Sequence, residues 1–158
     1  MNPIVVIGHG MVGHKLLESL AAMPGQAWRV IVLCEEPRPA YDRVHLSEFF
    51  AGKSAEDLSL VAPGFFEAHP QFELRLGTAA AAIDRAARTV TLADGETIAY
   101  HKLVFATGSS PFVPPVPGRD REDCFVYRTI EDLVAMQACG ARASSGVVVG
   151  GGLLGLEC

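Results

Sequence analysis

The chain has 158 residues, of which 49% are hydrophobic and 20% charged, and its formal net charge is −5. This length suits one globular domain with a hydrophobic core and is short for two complete domains. Lysine and arginine are scattered, so the sequence lacks the basic stripe of a nucleic-acid groove. No apolar run approaches the ~20 residues of a membrane helix, and the front end lacks the basic region of a signal peptide. The composition predicts a soluble, cytoplasmic protein that binds neither nucleic acid nor membrane.

The four cysteines are too dispersed to form a metal centre. Cys34, Cys124, Cys139 and Cys158 contain no CxxC pair and no cluster with histidine. Zinc and iron–sulfur ligation within this chain is therefore not expected. In a cytosolic protein, cysteines of this kind are expected to be buried, reduced thiols.

The first 36 residues have the pattern of a strand–loop–helix–strand unit. The apolar run at residues 3–7 is typical of a central parallel strand, and leucines at helical spacing follow a glycine-rich loop. A second apolar run covers residues 28–36 and ends in two acidic residues. Together these elements predict a βαβ unit with a right-handed crossover.

The glycine loop GHGMVG at residues 8–13 predicts a dinucleotide site. Its first glycine permits a tight turn, its second lets a pyrophosphate approach the backbone, and its third allows close helix–strand packing. The helix that follows offers unpaired N–H groups and a positive dipole end to the phosphates. Glu35 lies 22 residues after Gly13 (35 − 13 = 22) and can accept hydrogen bonds from ribose hydroxyls. The plainer alternative is a glycine turn without a ligand.

The middle of the chain predicts short helices and then strands. Residues 37–52 are expected to be a loop leading into a short helix, and residues 62–70 a second short helix. Residues 71–78 read as a strand. Two alternating strands then flank an Asp94–Gly95 turn, and a last apolar strand covers residues 102–106.

The last third of the chain predicts a connector followed by a second unit. The proline-rich stretch 109–122 is expected to be extended, and residues 127–143 to be a helix with Thr129 as its N-cap. A strand at 146–150 is expected to lead into GGGLLG, whose first glycine follows Gly8 by 142 residues (150 − 8 = 142). Two such loops imply two nucleotides between which electrons pass. Because natural domains rarely stop at the first turn of a helix, we expect this chain to be a fragment of a longer protein.

These motifs resemble a known superfamily over essentially the whole chain. VVIGHGMVGHK (5–15), LVFATGSSPFVPP (103–115) and VVVGGGLLGLE (147–157) resemble the FAD-dependent pyridine nucleotide reductases of the glutathione-reductase-like fold. CEEPRPAYDRVHLSEFF (34–50) and DCFVYRTIEDL (123–133) look most like the assimilatory NAD(P)H-dependent nitrite reductase branch, in the N-terminal module of the large subunit.

The resemblance implies a fold class and a domain plan. The fold is expected to be α/β, a Rossmann-like FAD-binding domain with a central parallel sheet and an antiparallel β-meander, in truncated form. Residues 1–110 would be the FAD-binding domain, 111–145 a proline-rich connector and helix, and 146–158 the start of an NAD(P)H-binding domain.

The resemblance also implies which residues hold the cofactors. The first glycine loop would take the FAD pyrophosphate and Glu35 the adenosine ribose, while Arg43 would lie near the phosphates. Ser47 would lie beside the flavin or its ribityl chain, and Arg128 in the flavin region. The second glycine loop would open the NAD(P)H site. No catalytic residue and no metal ligand is expected in this chain, and the expected cofactor-binding residues are Gly8, Gly10, Met11, Val12, Gly13, Glu35, Glu36, Arg43, Ser47, Ala80, Ala106, Thr107, Gly108, Arg128, Gly150, Gly152 and Gly155.

The implied function belongs to the longer parent protein. It would pass electrons from NAD(P)H through FAD to iron–sulfur clusters and a sirohaem outside this chain, and so reduce nitrite to ammonia. Partners would be small-molecule nucleotides, a small reductase subunit and further copies of the chain. The fragment itself is expected to be inactive and to hold FAD weakly or not at all. Residues 42–52 contain no redox cysteine, which argues against a disulfide reductase.

Several alternatives stay open at this stage. The parent could be a ferredoxin- or rubredoxin-reductase-type flavoprotein without sirohaem, or the chain could be a non-catalytic dinucleotide-binding module. Arg43 and Arg128 could be surface ion-pair residues. The histidines His9, His14 and His45 are expected at the surface or in loops, because hydride transfer to a flavin requires no protein acid.

Overall fold

The computed structural model describes residues 3–25 and 28–157, which divide into two compact units. Unit 1 comprises Met1–Tyr41 and Ser59–Gly108, and unit 2 comprises Asp42–Leu58 and Ser109–Cys158. Within the described ranges, no helix combines the length and the apolar character that crossing a membrane requires.

Unit 1 contains a parallel sheet, a meander and two helices. The four-stranded parallel sheet has the order β3–β2–β1–β7, and a separate antiparallel sheet has the order β4–β5–β6. In chain order the elements are β1 (Ile4–Ile7), α1 (Met11–Ala21), β2 (Val30–Leu33), α2 (Phe65–Ala68), β3 (Phe72–Arg75), β4 (Ala80–Asp84), β5 (Thr89–Leu92), β6 (Thr97–Ala99) and β7 (Lys102–Phe105).

The parallel sheet is buried on both faces because its central strands are apolar at every position. On one face Val5, Ile31 and Leu33 pack with Val90 and other side chains of the meander. On the opposite face a second cluster joins strand residues to the helix side chain Leu17 of α1 and to the phenylalanines of α2. Unit 1 is therefore a three-layer arrangement of meander, parallel sheet and helices.

Unit 2 contains short helices. They are a 3-10 helix at Leu46–Phe49, α3 at Ile130–Gly140 and α4 at Leu153–Glu157. The predicted N-cap of α3 is confirmed. The Asp132 amide donates to the Thr129 hydroxyl (3.2 Å), and the Thr129 amide donates back to the Asp132 carboxylate (2.8 Å), which is a complete capping box.

The α/β fold class is confirmed, with a parallel Rossmann-like sheet and an antiparallel meander. The domain boundaries at residues 110 and 145 stay predictions. The strand predicted over 28–36 is confirmed in its central part as β2, and the helix predicted over 127–143 is confirmed as α3.

Three local predictions are wrong. Residues 146–150 form no strand, because no described strand pairs with them, and Val147 and Val149 are exposed. The meander has a third strand, β4, which was not predicted because it contains alanines from the run at 79–82 and alanine is depleted in strands. The thiol of Cys34 is buried as expected, but Cys124 is exposed and Cys139 half-buried, while Cys158 lies outside the described residues.

We expect Leu17→Ala to lower the free energy of unfolding of the chain by about 2–5 kcal/mol, because Leu17 is fully buried between α1 and the sheet. Urea denaturation followed by circular dichroism measures this. The matched control is Ser19→Ala on the exposed side of α1, whose effect should stay within about 0.5 kcal/mol. Equal effects of the two substitutions would contradict this account of the core.

Candidate dinucleotide-binding site

The first glycine loop (residues 8–13) lies at the carboxyl edge of the parallel sheet in unit 1. The Gly8 amide donates to the Leu33 carbonyl at the end of β2 (2.8 Å). The Ala106 amide donates to the Ile7 carbonyl (2.8 Å), which holds the residue after β7 beside the loop. The ends of three strands therefore meet where α1 begins, the edge at which parallel α/β sheets bind ligands.

The three glycines of this loop have three different environments. Gly8 has a φ of +105°, and a Cβ there would clash with the Ala106 carbonyl. A Cβ on Gly13 would clash with the Gly8 carbonyl, so α1 packs against the strand end with no side chain between them. A Cβ on Gly10 would meet no protein atom within 4 Å. Gly8 and Gly13 are thus required by the fold, whereas the side of Gly10 faces open space.

The N-terminus of α1 has no partner from its own side chains. Gly10 is the N-cap, it provides no side-chain hydrogen bond, and the first turn carries no acidic residue. The first N–H groups of a helix have no intrahelical acceptor, and they carry the positive end of the dipole. Met11 and Val12 are exposed on this turn. An anionic group fits this position, because the N–H groups point outward and Gly10 leaves room for it.

Glu35 follows the loop's neighbour strand by two residues and its side chain is exposed. The adjacent Glu36 is engaged by the protein, since its carboxylate accepts the Tyr41 hydroxyl (2.8 Å). Directly before these two residues, the Cys34 carbonyl accepts the Thr78 amide (2.7 Å), which connects the end of β2 to the residues that follow β3. Of the two predicted acidic contacts, Glu35 is the one whose carboxylate is exposed to a ligand.

The remaining predicted residues of unit 1 have distinct positions. Ala106, Thr107 and Gly108 follow β7 directly, with Thr107 and Gly108 exposed and Gly108 at a φ of +68°. Ala80 begins β4 and packs against the core cluster beneath the parallel sheet. The structure therefore brings the first glycine loop, Glu35 and residues 106–108 to one edge, and places Ala80 in the meander.

The second glycine loop (residues 150–155) belongs to unit 2 and repeats the geometry of the first. Gly150 has a φ of +123°, a Cβ on Gly155 would clash with the Gly150 carbonyl, and a Cβ on Gly152 would meet nothing within 4 Å. These features match Gly8, Gly13 and Gly10 in turn. The loop leads into α4, as the first leads into α1.

The predicted arginine and serine contacts also lie in unit 2. The Arg43 guanidinium donates to the Arg128 carbonyl (3.0 Å), and the Arg128 guanidinium donates to the Ser109 hydroxyl (3.3 Å). Ser47 is half-buried in the 3-10 helix. His45 is exposed as expected, and its hydrogen bond and ion pair with Asp42 (2.7 Å) raise its pKa.

His9 lies in a loop as expected, but it is buried, and His14 is buried in α1, so the prediction is wrong for His14 and a surface position is wrong for both. The His9 side chain turns inward from the glycine loop and its Nδ1 accepts the Ala40 amide (3.1 Å). The two imidazole rings meet edge to face with centroids 5.5 Å apart, and Phe65 and Phe66 pack against them. Sequence reasoning missed this pair because helical spacing alone does not show which way a loop residue points.

Burial, and after it the proximity of His14, lowers the pKa of His9 from 6.5 to about 4. Burial also lowers the pKa of His14, against the opposing effect of Glu18, whose carboxylate lies 3.9 Å away. Both rings are therefore neutral at neutral pH. Three of their four nitrogens, His9 Nε2 and both nitrogens of His14, are buried without a hydrogen-bond partner in the described structure.

We expect the free energy of unfolding of the chain to fall by ~2 kcal/mol between pH 7 and pH 5 through His9, and the lowered pKa of His14 acts in the same direction. In the unfolded chain His9 takes up a proton below pH 6.5, but in the folded chain only near pH 4. The contribution of neutral His9 to the free energy of unfolding is therefore fully present above pH 6.5 and is lost as the pH falls toward 4. Urea unfolding at several pH values measures this. His9→Asn, which cannot titrate, should lose part of the slope, and an unchanged slope would contradict the assignment.

Comparisons with known proteins agree with this geometry. The family model for pyridine nucleotide-disulphide oxidoreductases matches residues 2–158. The nitrite reductase [NAD(P)H] large subunit of Klebsiella oxytoca is 57% identical over 98% of this chain, and the nitrite reductase (NADH) large subunit of Escherichia coli K12 is 50% identical over 98%. The chain spans only 16% and 18% of the length of these two curated relatives.

A solved structure shows the same fold. The crystal structure of NADH:rubredoxin oxidoreductase from Clostridium acetobutylicum superposes with a TM-score of 0.86 and 26% identity, over 98% of this chain and 40% of that one. The predicted resemblance to the nitrite reductase large subunits is confirmed at the level of sequence. The chain belongs to the pyridine nucleotide-disulphide oxidoreductase family.

Proposed function

We propose that this chain is the FAD-binding entry module of an NAD(P)H-dependent nitrite reductase. Two relatives with that name share half or more of its residues over nearly its whole length. In the parent protein, electrons from NAD(P)H would pass through FAD to iron–sulfur and sirohaem centres outside this chain, and nitrite would be reduced to ammonia. The proposed partners of the parent protein are a small reductase subunit and further copies of the chain, and its proposed location is the cytoplasm.

The observation that carries the FAD proposal is the open space beside Gly10. Gly8 and Gly13 have packing reasons to lack a side chain, but Gly10 has none inside the protein. Its φ of −91° is accessible to any residue, so backbone strain does not require glycine either. Glycine is also tolerated at a helix N-cap, so the specific support for a ligand is that this open space lies at the N-terminus of α1 and at the carboxyl edge of the sheet, where a pyrophosphate can pass close to the backbone.

The residues of unit 1 divide the work of holding the dinucleotide. The amide groups of Met11, Val12 and Gly13 would donate to the pyrophosphate oxygens, assisted by the dipole of α1. The exposed Glu35 carboxylate would accept the ribose hydroxyls. Backbone at Thr107 and Gly108 would line the cofactor. When bound, FAD would supply a flavin able to accept a hydride and release electrons singly.

The residues of unit 2 would serve the flavin and the nicotinamide nucleotide. Arg43, Ser47 and Arg128 would lie along the FAD, with Arg43 oriented by its hydrogen bond to the Arg128 carbonyl. The second glycine loop would begin the NAD(P)H site, because it reproduces the three glycine environments of the first loop.

We expect Gly10→Ala to weaken FAD binding by at least about tenfold, which corresponds to ~1.4 kcal/mol, because the added methyl group occupies the space assigned to the pyrophosphate. The fold should tolerate the methyl group, since nothing lies within 4 Å of it. Quenching of flavin fluorescence during titration of the parent protein measures the affinity, and thermal unfolding of the 158-residue chain measures the fold.

Gly140→Ala is the matched control, because a Cβ at Gly140 also meets nothing within 4 Å and the residue ends α3 rather than lying in a glycine loop. It should leave FAD affinity unchanged. Equal FAD affinity of wild type and Gly10→Ala would refute the proposed placement of the pyrophosphate.

We expect the parent protein to consume NAD(P)H in the presence of nitrite, with flavin and sirohaem bands in its visible spectrum. Reduction of nitrite to ammonium takes six electrons and each NAD(P)H supplies two, so three NAD(P)H should be oxidised per nitrite. The 158-residue chain alone is the control and should show no such activity. NAD(P)H oxidation that responds to ferredoxin or rubredoxin but not to nitrite would replace this function with the reductase type that lacks sirohaem.

A further inference from the structure

His9 links two segments that are proposed to bind different parts of FAD, the pyrophosphate and the adenosine ribose. One is the first glycine loop, in which His9 itself lies. The other is the Glu35 segment (residues 34–41), which begins at the end of β2. The link is the hydrogen bond from the Ala40 amide to His9 Nδ1, 3.1 Å long and buried.

The Glu35 segment has other attachments besides His9, among them the Gly77 amide on the Glu36 carbonyl (3.0 Å) and an isolated bridge between Tyr41 and Ser59. The Ala40 carbonyl accepts the Leu60 amide (3.0 Å), and the Tyr41 hydroxyl donates to Glu36 within the same segment (2.8 Å). Ala40 is only 1% exposed, so water cannot replace the acceptor that His9 gives its amide. A buried backbone N–H without an acceptor is rare in folded proteins, and the surrounding chain shifts to avoid it.

The His9 ring is held in the orientation that this link requires. It is 4% exposed and packs between His14 and Phe66, with centroid separations of 5.5 and 5.8 Å. Because Nδ1 accepts the hydrogen bond from the Ala40 amide, the neutral ring carries its hydrogen on Nε2, which has no partner in the described structure. The polar function of the ring is thus concentrated in one bond, the bond to Ala40.

We propose that His9 is a positioning residue for FAD, which fixes the Glu35 segment against the first glycine loop through the Ala40 amide. The inference rests on the proposed function, because it assumes that one dinucleotide uses both segments. Its physical content is preorganisation: without the link, binding must also order the Glu35 segment, and that cost lowers the affinity. The competing explanation is that His9 only fills space in an aromatic cluster.

Three variants of the full chain separate these explanations. His9→Leu keeps an apolar side chain of similar size and removes the acceptor. His9→Asn leaves a smaller side chain, but its amide oxygen is separated from the backbone by the same number of bonds as Nδ1. It can therefore accept the hydrogen bond from the Ala40 amide. His14→Leu is the matched control, since it removes a buried imidazole of the same cluster and leaves the acceptor of the Ala40 amide in place.

FAD titration by fluorescence quenching, on the parent protein carrying each substitution, is the first measurement. We expect His9→Leu to weaken FAD binding about tenfold, the equivalent of one hydrogen bond or ~1.4 kcal/mol, and His9→Asn and His14→Leu to stay within about threefold of wild type. Rescue by asparagine, in spite of its smaller volume, supports positioning. Equal losses in His9→Leu and His9→Asn, or a loss as large in His14→Leu, would overturn the proposal in favour of space filling.

Hydrogen exchange of the Ala40 amide, followed by NMR without FAD, is the second measurement. The amide should exchange slowly in wild type and His9→Asn and at least about tenfold faster in His9→Leu, because only the leucine removes its acceptor. Similar exchange in all three proteins would overturn the link itself. If the wild-type parent protein binds no FAD while the exchange pattern is as expected, the proposed function fails and the link between the two segments stands.

Discussion

The close approach of α1 to the carbonyl of Gly8 is the constraint on which the site depends. A side chain at Gly13 would strike that carbonyl, and one at Gly8 would strike the Ala106 carbonyl. Three backbone segments therefore meet at one point without side chains between them. This contact brings the N-terminus of α1 to the edge of the sheet, where its outward N–H groups and dipole face the space beside Gly10. The proposed anion site would follow from the packing of the backbone, with no charged side chain required.

The elements of the fold that could be read from the sequence are those with strong local signals. The valine-rich strands β1 and β2, the glycine loop and the capping residue Thr129 each have a physical cause within a few positions of the sequence, and each is in the structure. The strand β4 lacked such a reason. Its alanines have little strand preference, and it forms because it pairs with β5, while its first residue, Ala80, packs against the core cluster.

The orientation of His9 shows what sequence reasoning lacks at the site itself. The glycines on either side of it predict the turn, but the direction of a loop side chain depends on what surrounds it in three dimensions. Here the surroundings are an amide at residue 40 and rings at residues 14 and 66, which are distant in sequence or on another element. The position of Glu35 at the sheet edge was easier to predict, because it depends on strand register alone.

The two glycine loops have the same turn geometry, but only one of them follows a strand. The turn therefore depends on nearby residues, whereas the strand depends on distant ones. In both, the first glycine has a positive φ, the second faces open space and the third packs against the first carbonyl. Yet the residues before the first loop form a paired, buried strand, whereas residues 146–150 form none and carry exposed valines. The turn geometry therefore comes from the glycine spacing and the start of the helix. A strand needs a partner, and so only the first loop is fixed to a sheet whose other strands bring Glu35 and Thr107 to the same edge.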